Sequence, residues 1–126
     1  MAKVLIIDDN EAIRESYVYG FEEAGFSVLS AKNGKEGLKV ALKERPNIIL
    51  LDIIMPKMDG LSMLKELRSD VVWGKNVPVI MLTNVEGDND IVKEVIKTGP
   101  IYYLVKSEIT IEETIEKVKE YLNNQN

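Results

Sequence analysis

The chain of 126 residues contains no cysteine and no histidine. Without cysteine it can form no disulfide, thiolate nucleophile or sulfur-ligated zinc site. Without histidine it lacks the usual general base, the most frequent metal ligand and any phosphohistidine of its own. Any chemistry on this chain must therefore use other side chains.

Long apolar runs and an excess of basic residues are also missing. No segment approaches the roughly 20 consecutive apolar residues of a membrane span, and the first ten residues contain two aspartates, which argues against a signal peptide. The net charge of -5 and the pI near 4.8 give no basic surface for nucleic acid. We expect a soluble, cytoplasmic protein that binds neither membrane nor nucleic acid directly.

The apolar content suits one domain of ordinary size. Hydrophobic residues make up 45% of the sequence, which is enough for a core without disulfides. No internal repeat or linker is visible, and the last four residues are polar. The sequence predicts a single domain over residues 1–126, with a folded core at 3–122 and a frayed tail at 123–126.

Five short apolar runs alternate with amphipathic segments of helical period. The runs predict strands at 3–7, 27–31, 48–51, 77–82 and 101–105. The run at 48–51 is entirely aliphatic, as in a central parallel strand that is buried on both faces. Alternation of strands and helices requires right-handed crossovers, so the predicted fold is α/β: a (βα)5, doubly wound, five-stranded parallel sheet in three layers.

Capping patterns mark where the predicted helices begin. Asn10 precedes the first helix, Asn33 the second, and Thr110 with Glu113 forms a capping box before the fifth. Residues 87–90 predict a loop and cap before the fourth helix. The pair at 59–60 is typical of a turn.

Polar side chains follow four of the five predicted strands. They are Asp8 and Asp9, Asp52, Thr83 and Lys106. Because the carboxyl ends of parallel strands share one edge of a sheet, these groups are expected to lie together. Crowded carboxylates need a cation, and oxygen ligands select a hard ion such as Mg²⁺. With a metal on one side and Lys106 on the other, Asp52 could attack phosphorus as a carboxylate nucleophile.

Each residue taken alone has another interpretation. Asp9 or Asn10 could cap the first helix, Asp52 could be a turn residue, and a lone Lys106 is usually solvated. Thr83 is uninformative by itself, because threonine often ends strands. Only the joint placement of these residues at one sheet edge favours a functional site.

These residues resemble those of the receiver domain of two-component response regulators, over essentially the whole chain from Lys3 to about Leu122. The resemblance rests on Asp8-Asp9, on the segment 52–60 that reads DIIMPKMDG, on Thr83, and on Tyr103 three residues before Lys106. It implies a flavodoxin-like (CheY-like) fold with strand order 2-1-3-4-5, which is one of the common strand orders of doubly wound sheets.

The resemblance also implies roles. Asp52 would accept a phosphoryl group from a sensor histidine kinase, a histidine phosphotransfer protein or acetyl phosphate. Mg²⁺, with Mn²⁺ as a possible substitute, would be bound by Asp8, Asp9, Asp52 and the backbone carbonyl of Ile54. Lys106 would pair with the phosphate, and Thr83 and Tyr103 would act as the switch. The helix 4, strand 5 and helix 5 surface would then control an effector or a self-dimer.

The sequence departs from the family pattern at a few positions. Ser107 stands where most members have a proline after a cis bond, so we expect a trans Lys106–Ser107 bond, because a cis bond without proline costs about 2.5 to 4 kcal/mol. Asn84 replaces a small residue, and the pair at 99–100 replaces Gly-Ala. Ile54 and Val85 are apolar at two variable positions beside the site, which predicts a long-lived phosphoryl state.

Three other functions remain as alternatives. A haloacid dehalogenase-type phosphatase needs its nucleophile after the first strand with a second aspartate two residues later, and neither Asp8 nor Asp52 fits. A flavodoxin-like electron carrier needs a phosphate-binding loop after the first strand, and this sequence has no hydroxyl-rich or glycine-rich loop there. The remaining alternative, an interaction module with the same fold and an impaired switch, is suggested by Asn84 and Ser107 but opposed by the five intact site residues.

Overall fold

A computed structural model describes residues 2–84 and 90–124 of the chain. Five strands alternate with five α-helices, and a short 3-10 helix follows the last strand. The strands are β1 (Lys3–Ile7), β2 (Ser27–Ala31), β3 (Ile48–Leu51), β4 (Val79–Thr83) and β5 (Tyr102–Val105). The helices are α1 (Glu11–Glu23), α2 (Gly34–Glu44), α3 (Gly60–Ser69), α4 (Asp90–Lys97) and α5 (Ile111–Asn124), with the 3-10 helix at Lys106–Glu108.

All strand pairs are parallel, and their order in the sheet is β2-β1-β3-β4-β5. The predicted fold class and strand order are therefore confirmed. The register decides what meets at the carboxyl edge. Ile7 pairs with Leu51, so the residues that follow them, Asp8 and Asp52, leave the sheet side by side. On the other side of β3, Thr83 of β4 pairs with Val105, the residue before Lys106.

Two apolar clusters cover the two faces of the sheet. Ile49 and Leu51 of β3 belong to the cluster that includes α3, whereas Ile48 and Leu50 belong to the cluster that includes α1 and α5. All four side chains are buried, because helices cover β3 from both sides. All side chains of β3 are therefore apolar, and Asp52 is the first polar residue after the strand.

Some boundaries differ from the prediction. Strand β4 begins at Val79 instead of residue 77, because Pro78 has no N–H to donate to a ladder, and it extends to Thr83. Strand β5 begins at Tyr102. The predicted fraying at 123–126 is wrong for Asn123 and Asn124, which continue helix α5, and the last two residues lie outside the described residues.

The turn predicted at 59–60 also needs correction. Asp59 is the N-cap of α3 and accepts a hydrogen bond from the Ser62 N–H (2.8 Å), so it does more than form a turn. In β5, Tyr102 and Tyr103 are both half-buried and pack against opposite clusters. Of the loop and cap predicted at 87–90, residues 87–89 lie outside the described residues.

The other caps form as predicted. The Asn10 side chain accepts from the Ile13 N–H (3.0 Å), and the Asn33 side chain accepts from the Glu36 N–H (2.8 Å). The capping box of α5 is reciprocal: Thr110 N–H donates to the Glu113 carboxylate (3.0 Å), and Glu113 N–H donates to the Thr110 hydroxyl (3.1 Å). These bonds fix the helix starts next to the carboxyl edge of the sheet.

Candidate functional site

The end of β1 is held by short-range hydrogen bonds. Asp8 is buried, and its Oδ1 accepts the backbone N–H of Asn10 (2.9 Å). Arg14 donates from its guanidinium to the Asp8 carbonyl (2.9 Å), which ties helix α1 to this strand end. Because Asn10 is the helix cap, Asp9 is not needed for capping and its exposed carboxylate remains available at the edge.

The end of β3 turns sharply after Asp52. The Asp52 N–H still bonds the Ile7 carbonyl (3.1 Å), and its Oδ1 accepts the N–H of Ile53 (2.8 Å). Gly60 N–H then returns to the Ile53 carbonyl (2.7 Å). A Cβ at Gly60 would lie 2.1 Å from the Asp52 carbonyl oxygen, so only glycine permits this close return.

The three aspartates predicted to share a cation come together. Asp8, Asp9 and Asp52 each offer a carboxylate oxygen, and these oxygens lie within 4.8 Å of one another. Carboxylate oxygens at such separations match the oxygen-only coordination that Mg²⁺ prefers, with room left for water and phosphate oxygens. The donor set therefore fits the metal that was predicted from the sequence.

Lys106 reaches this cluster from β5. Its Nζ contacts Asp8 Oδ2 and lies 3.2 Å from Asp52 Oδ2. The side chain is only 10% exposed. Burial lowers the pKa of Lys106, but its hydrogen bonds and charge interactions with Asp8 and Asp52 outweigh that effect, so the net pKa is raised. The lysine is thus a firmly charged counter-ion inside the cluster.

The remaining predicted residues are distributed around a cleft of about 270 Å³. Ile54, Thr83 and Asn84 line this cleft together with the carboxylates and Lys106. Thr83 is buried, whereas the Ile54 side chain is 57% exposed. Tyr103 does not line the cleft and packs against the α3-side cluster. Val85, the second variable position, lies outside the described residues.

The Lys106–Ser107 peptide bond is trans, as predicted, since the described part of the chain contains no cis bond. The backbone continues from Lys106 into the 3-10 helix, which ends at Glu108 before the capping box of α5. Lys106 directly follows β5, and its side chain reaches the carboxylates from the end of that strand.

Sequence reasoning missed two residues that shape the site. Arg14 binds the Asp8 carbonyl, and Gly34 N–H donates to the Met58 carbonyl (3.0 Å), which ties α2 to the loop after β3. A Cβ at Gly34 would approach that oxygen to 2.1 Å. The glycine beside the Asn33 cap was a usable signal for a close backbone contact, but nothing in the sequence indicated the partner of Arg14.

Comparison with known proteins identifies the family. Residues 4–119 match the family described as "Response regulator receiver domain". The chain belongs to this family. The receiver domain described here is also 35% identical to Sporulation initiation phosphotransferase F of Bacillus subtilis over 120 residues, which are 95% of this chain and 93% of that relative.

Solved structures agree with this assignment. The Francisella response regulator 1452 receiver domain is 34% identical, with a TM-score of 0.87 and full coverage of both chains. A CheY-like receiver domain protein from Methanospirillum hungatei JF-1 is 28% identical, with a TM-score of 0.89 over 99% of this chain and 96% of that one. The receiver fold is thus established over nearly the entire chain.

Other relatives are much longer than this chain. It is 38% identical over 88 residues to the alkaline phosphatase synthesis transcriptional regulatory protein PhoP of Bacillus subtilis, but it spans only 35% of that protein. It spans 41% of the probable transcriptional regulator ycf27 of Porphyridium aerugineum.

Family membership carries some general properties. Receiver domains of response regulators are signalling switches rather than turnover enzymes, they bind Mg²⁺ through acidic residues, and they work with histidine kinases and effectors. Within the described residues, no helix has the length and apolar character needed to cross a membrane.

Proposed function

We propose that this receiver domain is a phosphorylation-dependent switch in which Asp52 accepts the phosphoryl group. The donor is a sensor histidine kinase, a histidine phosphotransfer protein or acetyl phosphate, and the protein acts in the cytoplasm. The observation that carries the proposal is the convergence of three carboxylates and one lysine at a single sheet edge. We further propose that the chain is one receiver domain from residue 1 to 126.

In the proposed reaction, a carboxylate oxygen of Asp52 attacks phosphorus. The new O–P bond forms as the bond between phosphorus and the donor breaks, and the bonding electrons leave with the donor. Lys106 already lies 3.2 Å from Asp52 Oδ2, where it would balance the negative charge of the phosphoryl oxygens. The buried Ile53 N–H holds Oδ1, so the carboxylate is oriented before the donor arrives.

The metal would be held by Asp8, Asp9, Asp52 and the backbone carbonyl of Ile54. When bound, Mg²⁺ or Mn²⁺ supplies positive charge for the phosphoryl oxygens. Asp8 is suited to this role because Asn10 and Arg14 hold both its carboxylate and its backbone.

The phosphoryl group carries about -1.5 to -2 charges, in place of the single negative charge of the Asp52 carboxylate. We propose that the Thr83 hydroxyl moves toward this charge and that Tyr103, on the neighbouring strand, turns inward. The change would alter the surface formed by α4, β5 and α5, through which the domain would bind an effector or a second copy. The 57% exposed Ile54 gives attacking water no polar group, so we expect a long-lived phosphoryl state. Rapid loss of phosphate in Mg²⁺ alone would contradict this expectation.

Intact-mass measurement with acetyl phosphate and Mg²⁺ tests the acceptor. We expect a single phosphate adduct on the wild type, none on Asp52→Asn, and an unchanged adduct on the control Asp59→Asn, whose carboxylate caps α3. Persistence of the adduct in Asp52→Asn would remove Asp52 from the acceptor role. An absence of any adduct on the wild type, with acetyl phosphate and with a phosphorylated histidine donor, would favour the alternative of an interaction module with an impaired switch.

A further inference from the structure

The connection between α3 and β4 presents two neighbouring valines to solvent. Val71 is 77% exposed and Val72 is 74% exposed. The next residue, Trp73, is the single tryptophan of the chain and is half-buried. Isolated apolar side chains are ordinary on a protein surface, whereas a contiguous apolar surface is typical of an interaction site.

Several hydrogen bonds fix the backbone of this connection. The Asp70 carboxylate accepts the N–H groups of Trp73 (3.3 Å) and Gly74 (2.8 Å). Arg68 donates to the carbonyls of Gly74 (2.8 Å) and Val77 (2.7 Å). Because the backbone that carries the valines is already ordered, a partner that covers them pays little conformational entropy for this loop.

A cavity of about 320 Å³ lies beside the exposed valines. Val72, Trp73, Val77 and two prolines contribute to its lining, and Arg45 is its one charged lining residue. Trp73 also packs against the α3-side cluster, which gives the cavity a firm wall. A concave apolar cavity of this kind suits a side chain of a protein segment, whereas a flat bilayer surface would leave it unfilled.

The exposed charges around this cavity are positive. Arg45 and Lys75 are both exposed, and neither forms an ion pair within the described part of the chain. Two neighbouring carboxylates are already engaged: Glu44 pairs with Lys3 (3.8 Å), and Asp70 accepts the two N–H groups of the connection. Since each copy of the chain has a net charge of -5, self-association is disfavoured, whereas an acidic segment would complement this local positive charge.

The surface lies at the edge of the sheet opposite to the carboxylate cluster. Asn47 and Pro78 line the cavity and come directly before β3 and β4, whereas Asp52 and Thr83 stand at the carboxyl ends of these strands. The length of β4 separates the two edges by roughly 13 Å. A partner bound at the amino edge would therefore leave Asp52 accessible.

We propose that Val71, Val72, Trp73 and Arg45 form a docking surface for an acidic segment of a partner protein that carries apolar anchors. The apolar side chains of the segment cover the valines and enter the cavity, and its carboxylates pair with Arg45 and Lys75. This docking uses none of the residues proposed for phosphoryl transfer, so it stands or fails independently of that function.

Fluorescence anisotropy with two labelled synthetic peptides tests the surface. The probe is an amphipathic peptide of about 16 residues with leucine and phenylalanine on one helical face and glutamate on the other, and its control has lysine at every glutamate position. The acidic peptide should bind the wild type with a dissociation constant below about 1 mM, more weakly as NaCl is raised from about 50 to about 500 mM, and should shift Trp73 emission to the blue. The lysine peptide should not bind.

Variants locate the binding. Val72→Asp should weaken binding of the acidic peptide about tenfold, because burial of a valine side chain is worth about that factor in an equilibrium. Arg45→Glu should weaken it about fivefold, whereas Arg45→Lys keeps the charge and the affinity. The matched control is Tyr19→Asp, which places the same new charge at a 67% exposed residue of α1, on the other face of the sheet, and should leave binding unchanged. Circular dichroism checks that each variant is folded.

Several results would overturn the proposal. They are no binding of the acidic peptide to the wild type at about 1 mM, equal binding of the lysine peptide, or undiminished binding to both Val72→Asp and Arg45→Glu. Sedimentation equilibrium that shows a wild-type dimer and a monomeric Val72→Asp would assign the surface to a second copy instead. Flotation with phosphatidylcholine vesicles containing about 30% phosphatidylserine, lost in Val72→Asp, would assign it to a membrane.

Discussion

Replacing Lys106 by methionine tests how the carboxylate cluster is held together. Methionine has a similar length but no charge, so the substitution leaves three neighbouring carboxylates without their internal cation. At 3.2 Å from Asp52, one ion pair is worth about 5 kcal/mol of Coulomb energy at an effective dielectric constant of 20. Desolvation cancels part of this attraction, and breaking a buried pair typically costs about 3 to 5 kcal/mol.

The cluster faces an open cleft, where water can solvate the orphaned carboxylates. We therefore expect Lys106→Met to lower the free energy of unfolding by about 2 kcal/mol, or the melting temperature by about 7 °C. Because the pKa of Lys106 is raised, its stabilisation is fully present below the unfolded-state value of about 10.4 and is lost only as pH rises through the higher folded-state pKa. Neutral pH is thus suitable for the measurement.

Urea unfolding followed by Trp73 fluorescence, with and without about 10 mM Mg²⁺, is the assay. The metal should stabilise Lys106→Met more than the wild type, because in the variant no lysine competes with the metal for Asp8. Lys65→Met is the matched control: its pair with Glu94 is more than half exposed and should contribute under about 0.5 kcal/mol. If Lys106→Met is as stable as the wild type in metal-free buffer and gains no more from Mg²⁺, the electrostatic argument is refuted.

Three further predictions concern residues outside the carboxylate cluster. Gly34→Ala should cost about 3 kcal/mol in urea unfolding, since its Cβ would lie 2.1 Å from a backbone oxygen; a loss under about 0.5 kcal/mol would contradict this. Arg68→Met should cost about 2 kcal/mol by the same assay, because the guanidinium donates to three carbonyls, those of Gly74, Val77 and Gly99; no change would mean that water replaces it. The pKa of Glu113 in an NMR titration should lie below its ordinary value, because the Thr110 backbone N–H and then the Thr110 hydroxyl form hydrogen bonds with the charged Glu113 carboxylate. The stabilisation by this carboxylate is present above about pH 4.3 and is lost as pH falls through the lowered pKa. An ordinary pKa would contradict the capping box.

Much of the fold could be predicted because its signals are local. The short aliphatic run 48–51 indicates a strand covered on both faces, and Asn10, Asn33 and Thr110 each cap the helix that they precede. Errors occurred where a boundary depends on neighbours. Strand β4 starts after Pro78, and α5 continues into residues that carry no helix signal of their own.

The sequence by itself determined which chemical groups stand at the carboxyl ends of the strands, because strand periodicity and the order of residues place Asp8, Asp52 and Lys106 there. Only the tertiary structure decided their mutual contacts. The register of β1 against β3 brings the two carboxylates together. The position of β5 in the same sheet places Lys106 where its Nζ contacts both of them.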